Sequence, residues 1–123
     1  MKKKIKIVNA EWNKNEELVL QVEEGVSILE MKPVGQMLVD SDHFSFIYVV
    51  DMHDDYTYIS IPESTWPELK KAHDQRITVY ISDQKEHLLL KDFHEELSYL
   101  IENIKGNSNY GEEMVEKVEA LLL

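Results

Sequence analysis

The first half of the chain alternates apolar and polar residues with the period of two that β-strands produce. The densest pair of runs, at 44–50 and 56–61, is rich in aromatic and β-branched residues and flanks a polar stretch of hairpin length. We therefore expect a β-rich half built around a central hairpin. The predicted strands are 4–10, 17–22, 26–31, 36–40, 44–50 and 56–61.

The second half changes to helical spacing after Pro62. Apolar stripes predict three helices, over 66–73, 93–105 and 110–122, and a later hairpin, 76–82/86–90, separates the first helix from the second. Short connections favour antiparallel neighbours. The expected fold is a single α+β domain spanning 1–123, with a mostly antiparallel β-sheet covered by about three helices.

The register of the central hairpin decides which side chains become neighbours. If Val50 lies opposite Tyr56, then Tyr48 meets Tyr58 on an aromatic face, and the other face is aliphatic. Because neither face is polar, we expect the hairpin to be central and covered on both sides. The aromatic face is then either half of the core or an open platform for a ligand or a partner.

The same register places His43 opposite Glu63 and brings Asp42 near the start of the first helix. Carboxylates, an imidazole and unpaired helix amides would meet there, and such a group holds a divalent cation or positions a water for hydrolysis. The alternative is a network that caps the helix structurally. The candidate ligand-binding residues are Asp42, His43, Glu63, Tyr48 and Tyr58.

Composition narrows the classes of function. The 123 residues include 24 acidic and 13 basic side chains, a net charge of −11, which disfavours nucleic acid and anionic membranes as partners. The absence of cysteine excludes disulfides, thiolate metal sites and a cysteine nucleophile. No apolar run has the length of a membrane span or a signal peptide, so the expected location is the cytoplasm. No cofactor loop or metal signature is recognised, and His73, His87 and His94 are dispersed along the sequence.

Three segments resemble the YjbL-like proteins, a small family of uncharacterised cytosolic proteins from Gram-positive bacteria. They are GQMLVDSDHFSFIYVV at 35–50, YISIPESTW at 58–66 and FHEELSYLIENIKGNSNYGEEMV at 93–115. The resemblance covers nearly the whole chain in order. It implies a single-domain bacterial cytosolic protein and brings no catalytic residue, cofactor or partner with it.

Two functions are consistent with these observations. The leading one is a non-catalytic, acidic protein-binding or adaptor domain that engages a basic protein through Glu112, Glu113, Glu116 and Glu119, among which Lys117 is the only cation. The same glutamates are also accounted for by solubility alone. The alternative is a small metal-dependent hydrolase or ligand sensor that uses Asp42, His43 and Glu63. A homodimer formed through the aromatic face or through the apolar end at 121–123 is a further expectation.

Overall fold

The computed structural model describes residues 3–123, in which one seven-stranded sheet packs against three helices. The strands are β1 Lys3–Trp12, β2 Leu18–Val22, β3 Lys32–Asp40, β4 Ser45–Met52, β5 Asp55–Pro62, β6 Val79–Ser82 and β7 His87–Leu89. The helices are α1 Trp66–Asp74, α2 Phe93–Ile104 and α3 Glu112–Leu122. The predictions of an α+β fold, three helices and two antiparallel hairpins are confirmed. None of the helices within 3–123 has the length and apolar character that crossing a membrane requires.

The sheet is mixed, which corrects the expectation of a mostly antiparallel one. Its strand order is β3-β4-β5-β1-β2-β6-β7. Two neighbouring pairs are parallel, β1 with β5 and β2 with β6. The other four neighbouring pairs are antiparallel. The prediction was wrong because a short loop indicates the relative direction only of two strands that follow one another in the sequence. Both parallel pairs join strands that are far apart along the chain.

Strand β1 connects the two halves of the sheet. Its first residues pair with β5 and its later ones with β2, and the pairing shifts by one residue between Ile7 and Asn9. Such a bulge bends a strand and increases its twist. The edge strands β3 and β7 contact each other, so the sheet curls around the core.

The strand predicted at 26–31 is absent. Those residues form turns and irregular chain that bury Ile28 and Met31, and the next strand begins only at Lys32. That strand, β3, runs through Pro33 and Gly35 instead of stopping at them, because it is an edge strand with irregular pairing between Pro33 and Met37. Gly35 has a φ of +81°, which suits a residue without Cβ.

The central hairpin forms, but its predicted register is wrong by one residue. Val50 pairs with Thr57, and the pairing continues to Met52 and Asp55. The turn is therefore only His53 and Asp54, whose φ angles of 55° and 62° belong to a type I′ turn. The sequence prediction took the polar residues 51–55 as a longer loop, and this error displaced every pair.

The corrected register separates the two tyrosines that were expected to be neighbours. Tyr48 lies opposite Ile59 and faces the core, whereas Tyr58 lies opposite Val49 on the other face, which we call the outer face. The hairpin is central and its strand β4 is buried on both faces, as expected, since Ile47 and Val49 on the outer face are 4% and 2% exposed. The faces do not divide into aromatic and aliphatic, because the one-residue shift exchanges the partners.

All three helices contribute to one core against the inner face of the sheet. The indole of Trp66 at the start of α1 stacks on Phe46 of β4, with ring centroids 4.9 Å apart. Helix α2 buries its predicted stripe, which is Phe93, Leu97, Leu100, Ile101 and Ile104, and α3 buries Met114, Val118 and Leu122.

Candidate functional site

The turn between β3 and β4 brings Asp40, not Glu63, to His43. A single 3₁₀ turn, Ser41–His43, places Nδ1 of His43 at 3.0 and 3.1 Å from the two carboxyl oxygens of Asp40. Nζ of Lys4 lies 2.9 Å from Oδ2 of the same carboxylate. Burial alone would raise the pKa of Asp40, but the hydrogen bonds from Lys4 and His43 together hold it below its ordinary value.

The Lys4–Asp40 contact spans two strands of the sheet. Lys4 belongs to β1 and Asp40 to β3, and both β4 and β5 lie between them. A flat sheet would keep strands three places apart at about 14 Å, so the contact depends on the length of the lysine side chain together with the curl of the sheet. Beside the ion pair of Lys4 with Asp40 lies a depression of about 350 Å³. It is lined by Lys4, Lys6, Ile7, His43, Ser45, Ser60 and Pro62.

The structure gives Asp42, His43 and Glu63 different partners. Asp42 is exposed and lines a shallow depression with the first turn of α3. The carboxylate of Glu63 lies 3.1 Å from Nζ of Lys117. No group of three histidine, aspartate or glutamate side chains that could hold a metal ion occurs in residues 3–123. The metal-dependent hydrolase or ligand sensor that would use these residues stays a prediction from the sequence. The hairpin register on which that prediction was based differs by one residue from the observed one.

Tyr48 and Tyr58 have different environments. Tyr48 is fully buried, and its hydroxyl donates a hydrogen bond of 2.7 Å to the carbonyl of Lys91. Burial, with the nearby charge of Asp92, raises the pKa of the Tyr48 hydroxyl. Tyr58 is half-buried on the outer face between Val49 and Lys4, its neighbours in β4 and β1.

A polar cluster that sequence reasoning missed joins α1 to α2. Nδ1 of His73, in the last turn of α1, lies 3.0 Å from Nδ1 of His94 in the first turn of α2. Nε2 of His73 lies 3.1 Å from Oγ of Ser98, and Nε2 of His94 contacts the carbonyl of Ile77. No sequence signal marks this cluster, because the two half-buried histidines are 21 residues apart and belong to separate helices.

The cluster borders an open cavity of about 760 Å³. One guanidinium nitrogen of Arg76 lies 3.3 Å from Oγ of Ser98 and 3.4 Å from the carbonyl of His94. Burial lowers the pKa of His73 to about 4, and the charges of His94 and Arg76 act in the same direction. The cavity is lined by Arg76, Thr78, Val79, Leu89, Leu90, Lys91, Asp92, Phe93, His94, Glu95 and Ser98.

The solvent side of α3 carries carboxylates without compensating cations. Glu112, Glu113 and Glu116 are exposed, and no cation among the described residues forms an ion pair with them. Lys117 points away from them, since its ammonium pairs with Glu63 and lies 4.9 Å from the ring centroid of Phe44. The sequence identified these glutamates, but it did not show where Lys117 would point.

Fold and surface together define a small α+β domain with a curled mixed sheet, one acidic helix and a histidine–serine cluster. The chain belongs to UPF0738, a family of unknown function, whose family model matches residues 5–122. It is 47% identical to the UPF0738 protein YjbL of Bacillus subtilis over the full length of both chains. A relative from Bacillus velezensis is 46% identical over the full length of both, and one from Geobacillus kaustophilus is 44% identical over 76% of this chain and 75% of its own. No solved structure matches this chain.

Proposed function

We propose that this protein is a binding module that docks a basic protein partner on the exposed side of α3. The observation that carries the proposal is the position of Lys117. Because its ammonium is held by Glu63 and Phe44, it leaves Glu112, Glu113 and Glu116 as an uncompensated group, which we call the acidic helical face. A cationic surface would gain from contact with this face and would be steered toward it at low ionic strength.

The neighbouring helix α2 supplies a side chain of the kind that anchors interfaces. Tyr99 is 64% exposed and has Glu95 and Glu102 on the same face of the helix, at helical spacing. Exposed tyrosine offers a large contact area at a low cost in conformational entropy and is enriched at interface hot spots. Carboxylates on either side of it favour lysine and arginine on the partner.

The test compares two variants with the same change in net charge. The first replaces Glu112, Glu113 and Glu116 by glutamine, and the control replaces Glu11, Glu16 and Glu24, which are exposed on and near β1 and β2. Each variant and the wild type are used as bait in a Bacillus lysate at about 50 and 200 mM salt. We expect a basic protein to be retained by the wild type and the control, and to be lost with the α3 variant and at the higher salt.

Three results would contradict the proposal. Equal loss of the retained protein with both variants would mean that only net charge matters, and equal retention by both would mean that α3 is not the contact. A retained set without a basic protein would overturn the chemistry assigned to the partner. The expected homodimer stays a prediction, for which the structure shows Leu122 buried and Leu123 51% exposed.

A further inference from the structure

Ser98, His73 and His94 form a hydrogen-bonded chain whose direction follows from one carbonyl group. The oxygen of Ile77 only accepts, so Nε2 of His94 carries a proton, and in a ring with a single proton Nδ1 is then bare. Nδ1 of His73 must then donate to it, which leaves Nε2 of His73 bare and facing Ser98. The hydroxyl of Ser98 therefore donates to His73, and its oxygen accepts from Arg76.

A hydroxyl that donates to an imidazole, itself oriented by a third group, is the arrangement of an activated nucleophile. The two distances that define it, 3.1 Å from Ser98 to His73 and 3.0 Å from His73 to His94, are within hydrogen-bonding range. We propose that Ser98 is a nucleophile for acyl transfer, with His73 as its base and His94 as the positioning residue. This activity goes beyond the docking proposed above and does not depend on it.

The cavity beside these hydrogen-bonded residues gives a substrate access to Ser98, and its lining indicates the class of that substrate. Ser98, His94 and Arg76 all line the open space of about 760 Å³. Part of its wall is apolar, from Val79, Leu89, Leu90 and Phe93. An apolar wall next to a hydroxyl and a guanidinium suits an ester with a small apolar acyl group, whose carbonyl oxygen points toward Arg76.

The reaction requires only these side chains and water. Oγ of Ser98 bonds to the carbonyl carbon while its proton passes to Nε2 of His73, and the charge that develops on the carbonyl oxygen is stabilised by the Arg76 guanidinium. The ester bond then breaks, and the leaving oxygen takes the proton from His73. Water then attacks the carbonyl carbon of the acyl-serine and loses a proton to Nε2 of His73. The bond between the acyl carbon and Oγ breaks, Oγ of Ser98 takes the proton back from His73, and the acid is released.

The ionisation state of His73 agrees with this role and restricts the substrate. Burial, His94, Arg76 and Lys70 lower the pKa of His73 to about 4, and Asp74 opposes them. The ring is therefore neutral and able to accept a proton throughout the neutral pH range. A base with so low a pKa provides little driving force for proton transfer, so we expect the substrates to be activated esters with good leaving groups.

A fluorophosphonate probe tests the proposal on the full-length protein. Ser98 would displace fluoride from phosphorus, the proton would pass to His73, and mass spectrometry would locate the adduct. We expect one adduct, on Ser98, that is absent in Ser98→Ala and unchanged in Ser64→Ala, which removes an exposed serine outside the cavity. The variant His73→Gln, with its folding checked by circular dichroism, is expected to slow labelling at least about tenfold.

The pH dependence separates a base from a merely structural histidine. We expect wild-type labelling to be lost as the pH falls to the pKa of about 4 of His73, because the protonated ring no longer accepts the proton of Ser98. Wild-type protein without an adduct on Ser98 would overturn the proposal, as would equal labelling of Ser64 or full labelling of folded His73→Gln. The α3 charge variant is expected to label normally, so this result and the docking result are independent.

Discussion

Trp66 is the largest fully buried side chain in the described part of the chain, and its indole N–H has no hydrogen-bond partner there. The ring contributes apolar area and stacking on Phe46, while the unpaired N–H opposes folding. We therefore expect Trp66→Ala to lower the free energy of unfolding by about 3–5 kcal/mol. Trp66→Phe is expected to cost less than about 1.5 kcal/mol, because it removes the unpaired donor along with part of the ring. Urea denaturation measures both, and equal costs would contradict the role assigned to the N–H.

His73 makes the stability of the fold sensitive to acid. Its pKa is about 4 in the folded protein, below the ordinary value of 6.5, so the unfolded chain binds more protons between these two values. The contribution of His73 to stability is complete above about pH 6.5 and is lost as the pH falls toward 4. In His73→Gln we expect urea midpoints measured from pH 7 to pH 4 to fall less steeply than in the wild type. In His87→Gln, a change at an exposed position, they should fall as in the wild type.

At the scale of secondary-structure elements, the parts predicted correctly are those set by neighbours in sequence. The helices follow from apolar stripes, and the two antiparallel hairpins follow from adjacent β-rich runs. The two parallel pairings depend on strands that are distant in sequence, and the hairpin register depends on two residues with positive φ that are neither asparagine nor glycine. Asp51 and Asp55 are typical turn residues that here belong to strands, which is why the loop was predicted too long.

The turn at His53 and Asp54 offers a direct test of the corrected register. Both residues have positive φ, a conformation that Asn-Gly adopts at less cost in a type I′ turn. We expect the double variant His53→Asn, Asp54→Gly to raise the free energy of unfolding by about 1 kcal/mol. The change also removes an exposed contact of 2.8 Å between Nε2 of His53 and the carboxylate of Glu30, which is worth little, and Glu30→Gln measures that loss separately. A net destabilisation beyond that control would contradict the assigned turn.

At the candidate sites, the sequence identified which residue types are present. It did not show in which direction their side chains point. It identified the glutamates of α3, because residue type alone makes that surface acidic. The direction in which Lys117 points depends on Glu63 and Phe44, which reach it from another part of the chain. The meeting of His73 with His94 likewise depends on how α1 packs beside α2. Such convergence is a property of tertiary packing, and no spacing rule along one segment reports it.

The whole molecule has a net charge of −11, and the structure shows that this charge is unevenly compensated. Lys4 and Lys70 pair with Asp40 and Asp74, whereas the acidic helical face has no paired cation among the described residues. Repulsion among close, exposed carboxylates opposes the compact state, and added salt screens it over a distance of about 10 Å at 0.1 M. Salt should therefore stabilise this protein even though it weakens the ion pairs.

We expect the melting temperature at pH 7 to rise by roughly 2–4 °C between about 20 and 300 mM NaCl, because the screened repulsion amounts to about 1 kcal/mol. Differential scanning calorimetry gives the measurement, and KCl serves as the control, since screening depends on ionic strength and not on the identity of the cation. Neutralising Glu112, Glu113 and Glu116 with glutamine should reduce the rise, because the closest like charges are then gone. A melting temperature that falls with salt would show that the ion pairs outweigh the repulsion. A rise that is equally large in the glutamine variant would mean that the acidic helical face is not the source of the repulsion.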